Sequence, residues 1–187
     1  MIKINVKNKF NDFLEEYSKK LDLGGFSNLA SDDLGKASRK DFQITGILGE
    51  IAVSMYRYGN IDQIKINLDE KLKHYYKTGL GDNGRDDIVI YNNKTRFLDV
   101  KASHTTSEEK INYLNLIVPQ REYHKNMIYV AAFTLGKSRT EIDDVILAGF
   151  CFNEDIHKRW QYDNSKWCVP VSELRKMEEL DIYIGKK

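Results

Sequence analysis

The chain has 187 residues, about the size of one domain and long enough to bury a proper core. Its 29 Lys and Arg against 28 Asp and Glu leave a net charge of +1, which excludes a molecule that is basic throughout, so any nucleic-acid surface has to come from local clustering. Two cysteines exclude a four-thiolate zinc or iron–sulfur site and do not make a secreted disulfide scaffold; with no apolar run of about 18 residues and no apolar leader behind Met1, the expected setting is cytoplasmic, without a membrane segment.

The first element in chain order is an amphipathic helix over 9–21, with Phe10, Phe13, Leu14, Tyr17 and Leu21 inward. Residues 22–40 are rich in Gly, Ser, Asn and Asp and read as a long connection, completing a helical N-terminal region over 1–40. Lys36, Arg39 and Lys40 lie at its end, where they can touch a phosphate backbone or simply be solvated. In 42–58, Ile44, Ile47, Leu48, Ile51, Met55 and Tyr58 recur at helical spacing and form an apolar stripe. Glu50 sits on the flank of that stripe, a quarter turn from Ile51, where neighbouring structure can half cover it. Gly46 and Gly49 each cost about 1 kcal/mol in a helix interior relative to Ala, a cost more easily tolerated where another backbone comes close, so tight packing on a sheet is expected near Glu50. Further on, KLKHYYK (71–77) interleaves Lys71, Lys73 and Lys77 with aromatic side chains, a mix suited to phosphate contact and base stacking and equally to a charged face over half-buried tyrosines.

Residues 81–102 read GDNGRDDIVIYNNKTRFLDVKA. Asn92-Asn93 separates two apolar runs, and Asn tolerates the left-handed conformation of tight turns, which predicts a hairpin. A two-residue loop sets Tyr91 opposite Lys94 and Asp86 opposite Asp99, so Asp86, Phe97, Asp99 and Lys101 share one face and Asp87, Leu98 and Val100 the other. Facing carboxylates are destabilising on an ordinary sheet, and a cation would remove that penalty. A loop one residue longer or shorter would bring Asp87 opposite Asp99 instead. Strands are expected over 113–118, 127–135 and 144–152, then a helix near 153–160 and a short helix from Ser172, giving an α/β chain with a mixed sheet. Gln120 and Arg121, after the first of these strands, can reach DNA, whereas His104, His124 and His157 lack metal-ligand spacing.

In order, Gly46, Gly49 and Glu50 on a helix, Gly84, Arg85 and Asp86 opening a strand, and Asp99, Val100 and Lys101 on the next strand resemble the PD-(D/E)XK nuclease superfamily. The segments 147–156 and 167–177 look like the late strand, helix and closing segment of its small phage and bacterial members. No proline precedes Asp86, and Asp99 stands where Glu is commoner; neither departure removes a ligand or the lysine. The resemblance implies one domain over 1–187 with a restriction-endonuclease-like core, a central mixed β-sheet flanked by helices, located in bacterial cytoplasm or in a host cell if phage-encoded. It implies Mg²⁺, for which Mn²⁺ can substitute, held by Asp86, Asp99 and the Val100 carbonyl, with Glu50 as an outer ligand, and Lys101 orienting water and offsetting transition-state charge. The expected activity is hydrolysis of DNA phosphodiesters by an endonuclease of restriction or phage DNA-processing type, with a homodimer compatible with cutting both strands. The competing expectation is a non-catalytic nucleic-acid-binding or protein-interaction module that retains the fold. No glycine-rich phosphate loop is present, so ATP-driven activity is not expected.

Overall fold

The computed structural model describes residues 1–24, 39–78, 85–91, 94–156, 161–163 and 165–184. The chain begins with a strand, β1 (Ile2–Asn5), where the helical reading of 1–40 had no strand. Three helices follow: α1 (Asn11–Gly24), α2 (Arg39–Tyr58) and α3 (Asp62–Thr78). Strands β2 (Asp87–Tyr91) and β3 (Lys94–Thr105) form the hairpin, and β4 (Asn115–Pro119), β5 (Met127–Ser138), β6 (Glu141–Phe152), β7 (Gln161–Asp163) and β8 (Lys166–Pro170) lead to α4 (Met177–Ile184). The fold is α/β, built on a mixed five-stranded sheet in the order β1-β6-β5-β3-β2, in which only β3 and β5 run parallel.

The single mixed sheet expected from the sequence is divided, because β4, β8 and β7 pair among themselves as a separate three-stranded sheet. The helix expected near 153–160 is a single 3-10 turn over Asn153–Asp155 in its described part, and residues 157–160 lie outside the described residues. The helix expected from Ser172 is likewise a 3-10 turn, Val171–Glu173, with α4 starting at Met177. Local apolar patterning does not distinguish a short turn from the first turn of a helix, and here the backbone at Leu174 is extended.

The five-stranded sheet is buried on both faces. On one side, Ile128, Val130 and Ala132 of β5 and Leu98 and Val100 of β3 pack with Ile47, Leu48 and Ile51 of α2. On the other, Met127, Tyr129, Ala131 and Phe133 of β5 pack with Leu116 and Val118 of β4 and Val169 of β8. This alternation follows from the period of two along a strand. Helix α2 is anchored by its apolar stripe, each fully buried aliphatic contributing up to about 1.5–3 kcal/mol. It stops at Gly59, whose φ of 73° is open to glycine at little cost and whose N–H returns to the Met55 carbonyl at 3.0 Å.

Gly49 meets the sheet directly: a Cβ there would come within 2.9 Å of the Ala102 Cβ and 3.2 Å of Val100 Cγ1. Gly46 would meet nothing within 4 Å, so the close approach expected for both glycines belongs to Gly49 alone. Tyr58, placed on the apolar stripe by its spacing, is 41% exposed at the helix end. No described helix is long and apolar enough to cross a membrane.

Candidate functional site

The hairpin has the register that a two-residue loop dictates, with Tyr91 opposite Lys94 and Asp87 opposite Leu98. Regular pairing ends there. The Asp86 N–H donates to the Leu98 carbonyl at 2.8 Å, the same residue that Asp87 faces, so Asp86 leaves the alternation that would have set it against Asp99. Its side chain turns toward the helices, where Oδ2 accepts the Val100 N–H at 2.5 Å and Oδ1 meets the Lys71 ammonium at 2.6 Å. Lys71 also reaches Glu50 Oε2 at 3.2 Å, so Glu50, Lys71 and Asp86 form one carboxylate–ammonium–carboxylate group, each member at most 16% exposed.

Helix α3 builds its side of this group as a row of residues four apart. Gln63 donates to Asn67 Oδ1 at 2.8 Å, Asn67 Nδ2 donates to the Asp86 carbonyl at 2.6 Å, and Lys71 binds the Asp86 carboxylate. Ile64, Leu68 and Leu72 on the adjoining stripe fix the helix in the core. Between α2, α3 and the hairpin, a recess of about 10 Å³, room for roughly one water-sized sphere, is lined by Glu50, Ser54, Asn67, Asp86, Asp87 and Val100.

Asp99 and Lys101 lie on the other face of β3, as alternation about Val100 requires. A second group of the same form assembles there. Lys101 Nζ lies 2.6 Å from Asp99 Oδ1 and 2.5 Å from Glu122 Oε2. Glu122 belongs to a 3-10 turn, Gln120–Glu122, that is latched to the sheet by Tyr129: the Tyr129 hydroxyl donates to the Glu122 carbonyl at 2.9 Å and accepts the His124 N–H at 3.0 Å. Tyr129 is the residue of β5 that pairs with Asp99.

Asp99 is 1% exposed, and its Oδ2 has no hydrogen-bond partner among the described residues. Burial raises its carboxyl well above the ordinary aspartate value, the Lys101 charge opposes this, and the nearby charge of Asp86 adds to the rise. Burial alone would lower the Lys101 ammonium, but Asp99 and Glu122 outweigh it and the net direction is upward. Both members of the pair are therefore shifted upward. A buried carboxylate with a bare oxygen calls for a cation or a proton.

Asp87, the alternative to Asp86, is engaged elsewhere. Its carboxylate is in contact with the Arg57 guanidinium and accepts the Tyr58 hydroxyl at 2.9 Å. His104 lies further along β3 with Nδ1 3.2 Å from Thr134 Oγ1; burial lowers its pKa, and the Arg139 charge lowers it further.

Of the residues proposed for a phosphate backbone, Lys71 is an interior partner of two carboxylates, not a surface cation. Lys73 and Lys77 are exposed on α3, and Gln120 and Arg121 are exposed on the turn beside Glu122. Arg39 and Lys40 fall in the first turn of α2 with side chains outside the described residues, as is the whole of Lys36.

Sequence reasoning missed Glu122 and the inward role of Lys71. Nothing local marks Glu122, and only its neighbours Gln120 and Arg121 drew notice; Lys71 stood out for its charge, which also fits a surface lysine. Among the described residues, no three His, Cys, Asp or Glu side chains converge as a ready-made metal cage, since the acids stand in pairs, each pair around an ammonium. Hard-oxygen donors flank Val100 on both faces of β3: the small recess lies beside Glu50 and Asp86, and the unmatched oxygen belongs to Asp99 on the opposite face. No protein-family model matches the chain, and comparisons with curated proteins and with solved structures returned no match.

Proposed function

We propose that this protein is a Mg²⁺-dependent nuclease with a restriction-endonuclease-like core of the PD-(D/E)XK superfamily, hydrolysing DNA phosphodiesters as an endonuclease. The observation that carries the reading is that Glu50 and Asp86 on the helix side of β3, and Asp99 and Lys101 on its other face, flank one residue, Val100, with Asp99 Oδ2 buried and unmatched. Carboxylates and a main-chain carbonyl are the donors that Mg²⁺ prefers, and Glu50 and Asp86 with the Val100 carbonyl would hold it; Asp99, expected as a further ligand, lies across the strand from them beside Lys101. When bound, the ion supplies Lewis-acid activation of the scissile phosphate and of water. Lys101, kept protonated by its carboxylate neighbours, offsets charge that develops on the phosphoryl oxygens. Lys73, Lys77, Gln120 and Arg121 supply exposed groups for the DNA backbone. Cutting both strands of a duplex would bring two copies together as a homodimer.

The test is cleavage of a panel of single-stranded, duplex and branched DNA and of RNA with Mg²⁺ or Mn²⁺, with and without EDTA. Wild type should cut and EDTA should abolish cutting, reversibly; Lys101→Ala should bind the same DNA without cutting it. Cleavage of nothing in the panel would sink the proposal. One observation favours a second reading: each acidic pair already contains an ammonium, which suits a non-catalytic nucleic-acid-binding module in which both groups are permanent. That reading predicts DNA binding by both proteins and cleavage by neither.

A further inference from the structure

We infer that Lys71 is a resident counter-cation of the subsite formed by Glu50 and Asp86, and that binding of a divalent ion there requires Lys71 to leave. The inference rests on the reading of Glu50 and Asp86 as ion ligands, and it adds a residue that limits how readily the site loads. Lys71 Nζ stands 2.6 Å from Asp86 Oδ1 and 3.2 Å from Glu50 Oε2, and its side chain is only 13% exposed. The recess beside these carboxylates has room for about one water-sized sphere, 10 Å³. The ammonium lies against Asp86 Oδ1, and a divalent ion bound to the same carboxylates would meet it with strong repulsion.

Departure of the ammonium does not require the helix to move. Ile64, Leu68 and Leu72 hold α3 in the core, and Asn67 clamps the Asp86 main chain independently of Lys71. The lysine stem has four rotatable bonds, so the head can swing while its Cα stays fixed. Asp86 keeps its hydrogen bond from the Val100 N–H in either case, which holds the carboxylate oriented after the ammonium has gone. The same two carboxylates therefore serve two cations in turn, and the binding equilibria of those cations are coupled through competition.

The experiment measures Mn²⁺ affinity of the intact protein by electron paramagnetic resonance, with DNA cleavage recorded separately. Lys71→Met should bind Mn²⁺ at least about tenfold more tightly than wild type, the order expected when a unit charge within a few ångströms is removed from a partly buried site. Lys71→Arg, which retains the charge, should stay close to wild type. Equal or weaker binding by Lys71→Met overturns the inference. Should Lys71→Met fail to fold, wild type alone decides by acetic anhydride labelling read at Lys71 by mass spectrometry. Labelling should rise severalfold on addition of Mn²⁺, and unchanged labelling overturns the inference.

The outcomes separate the two proposals. Tighter Mn²⁺ binding by Lys71→Met without cleavage by either protein retains the role of Lys71 and rejects the nuclease. Cleavage with equal Mn²⁺ affinities does the reverse, and no Mn²⁺ binding by either protein rejects both.

Discussion

Replacing Lys101 with Met removes, among the described residues, the one cation paired with Asp99, a carboxylate that is 1% exposed, and one that also serves Glu122, 24% exposed. Removing one partner of a buried ion pair costs about 3–5 kcal/mol, because the remaining charge is left uncompensated. For a chain of this length, 1 kcal/mol moves Tm by roughly 2–4 °C, so a fall of roughly 6–20 °C at neutral pH is expected. The pH dependence has a definite sign. Burial already holds the Asp99 carboxyl well above its unfolded value, and loss of the Lys101 charge, which lowers it, raises it further. A group whose folded pKa is raised contributes stability that is fully present below the unfolded value and lost as pH rises through the folded one. The deficit of Lys101→Met relative to wild type should therefore be small near pH 4, grow as pH rises, and level off once buried Asp99 is ionised. Urea unfolding at a series of pH values measures this. Adding Asp99→Asn to Lys101→Met should recover most of the loss, a coupling read by the double-mutant cycle. A deficit under about 1 kcal/mol at pH 7, or one equal at pH 4 and pH 7, would refute the claim that Lys101 compensates a buried charge.

Three further outcomes follow from the geometry. Gly49→Ala should lose about 1–3 kcal/mol of stability, since its Cβ would press on Ala102 and Val100 on the sheet, while Gly46→Ala, with open space around it, should gain up to about 1 kcal/mol; chemical denaturation of the two variants checks the contrast. Asp87→Asn, which alters the contacts to Arg57, Tyr58 and the Ile88 N–H, should keep metal-dependent cleavage, whereas Asp86→Asn should reduce the rate by about 100-fold or more; the reverse order would place the ligand at Asp87. Tyr17, whose hydroxyl donates to Asp69 at 2.9 Å, is pushed up to about 12 by burial first and by Asp69 second, so its stabilising contribution is complete below about pH 10 and is lost as pH rises toward 12. Stability of wild type should fall across that window relative to Tyr17→Phe, and parallel curves would disprove the assignment.

The hairpin shows how much of the site was legible in the residues and where that stopped. Asn92-Asn93 between two apolar runs was enough to set Tyr91 against Lys94, because turn chemistry and the two-residue strand period are local properties. The same period placed Asp99 and Lys101 on one face and Val100 on the other, and helical spacing placed the inward face of α2 with Glu50 on its flank. What the pattern could not foresee is the departure at Asp86, where pairing gives way and the side chain turns to the helix side of the sheet. Strand alternation holds only while the ladder holds.

The amino-acid sequence alone determined the elements at the centre of the fold and the supply of acids and lysine along β2, β3 and α2. Tertiary structure decided how they are partnered. Lys71 reaches Asp86 from 15 residues away and Glu50 from 21, and Glu122 reaches Lys101 from 21, across elements whose packing no local period encodes. Whether a charged side chain is a solvated surface group or one member of a buried carboxylate–ammonium–carboxylate group depends on what covers it, and that cover comes from distant segments brought together by burial of the two apolar faces of one sheet.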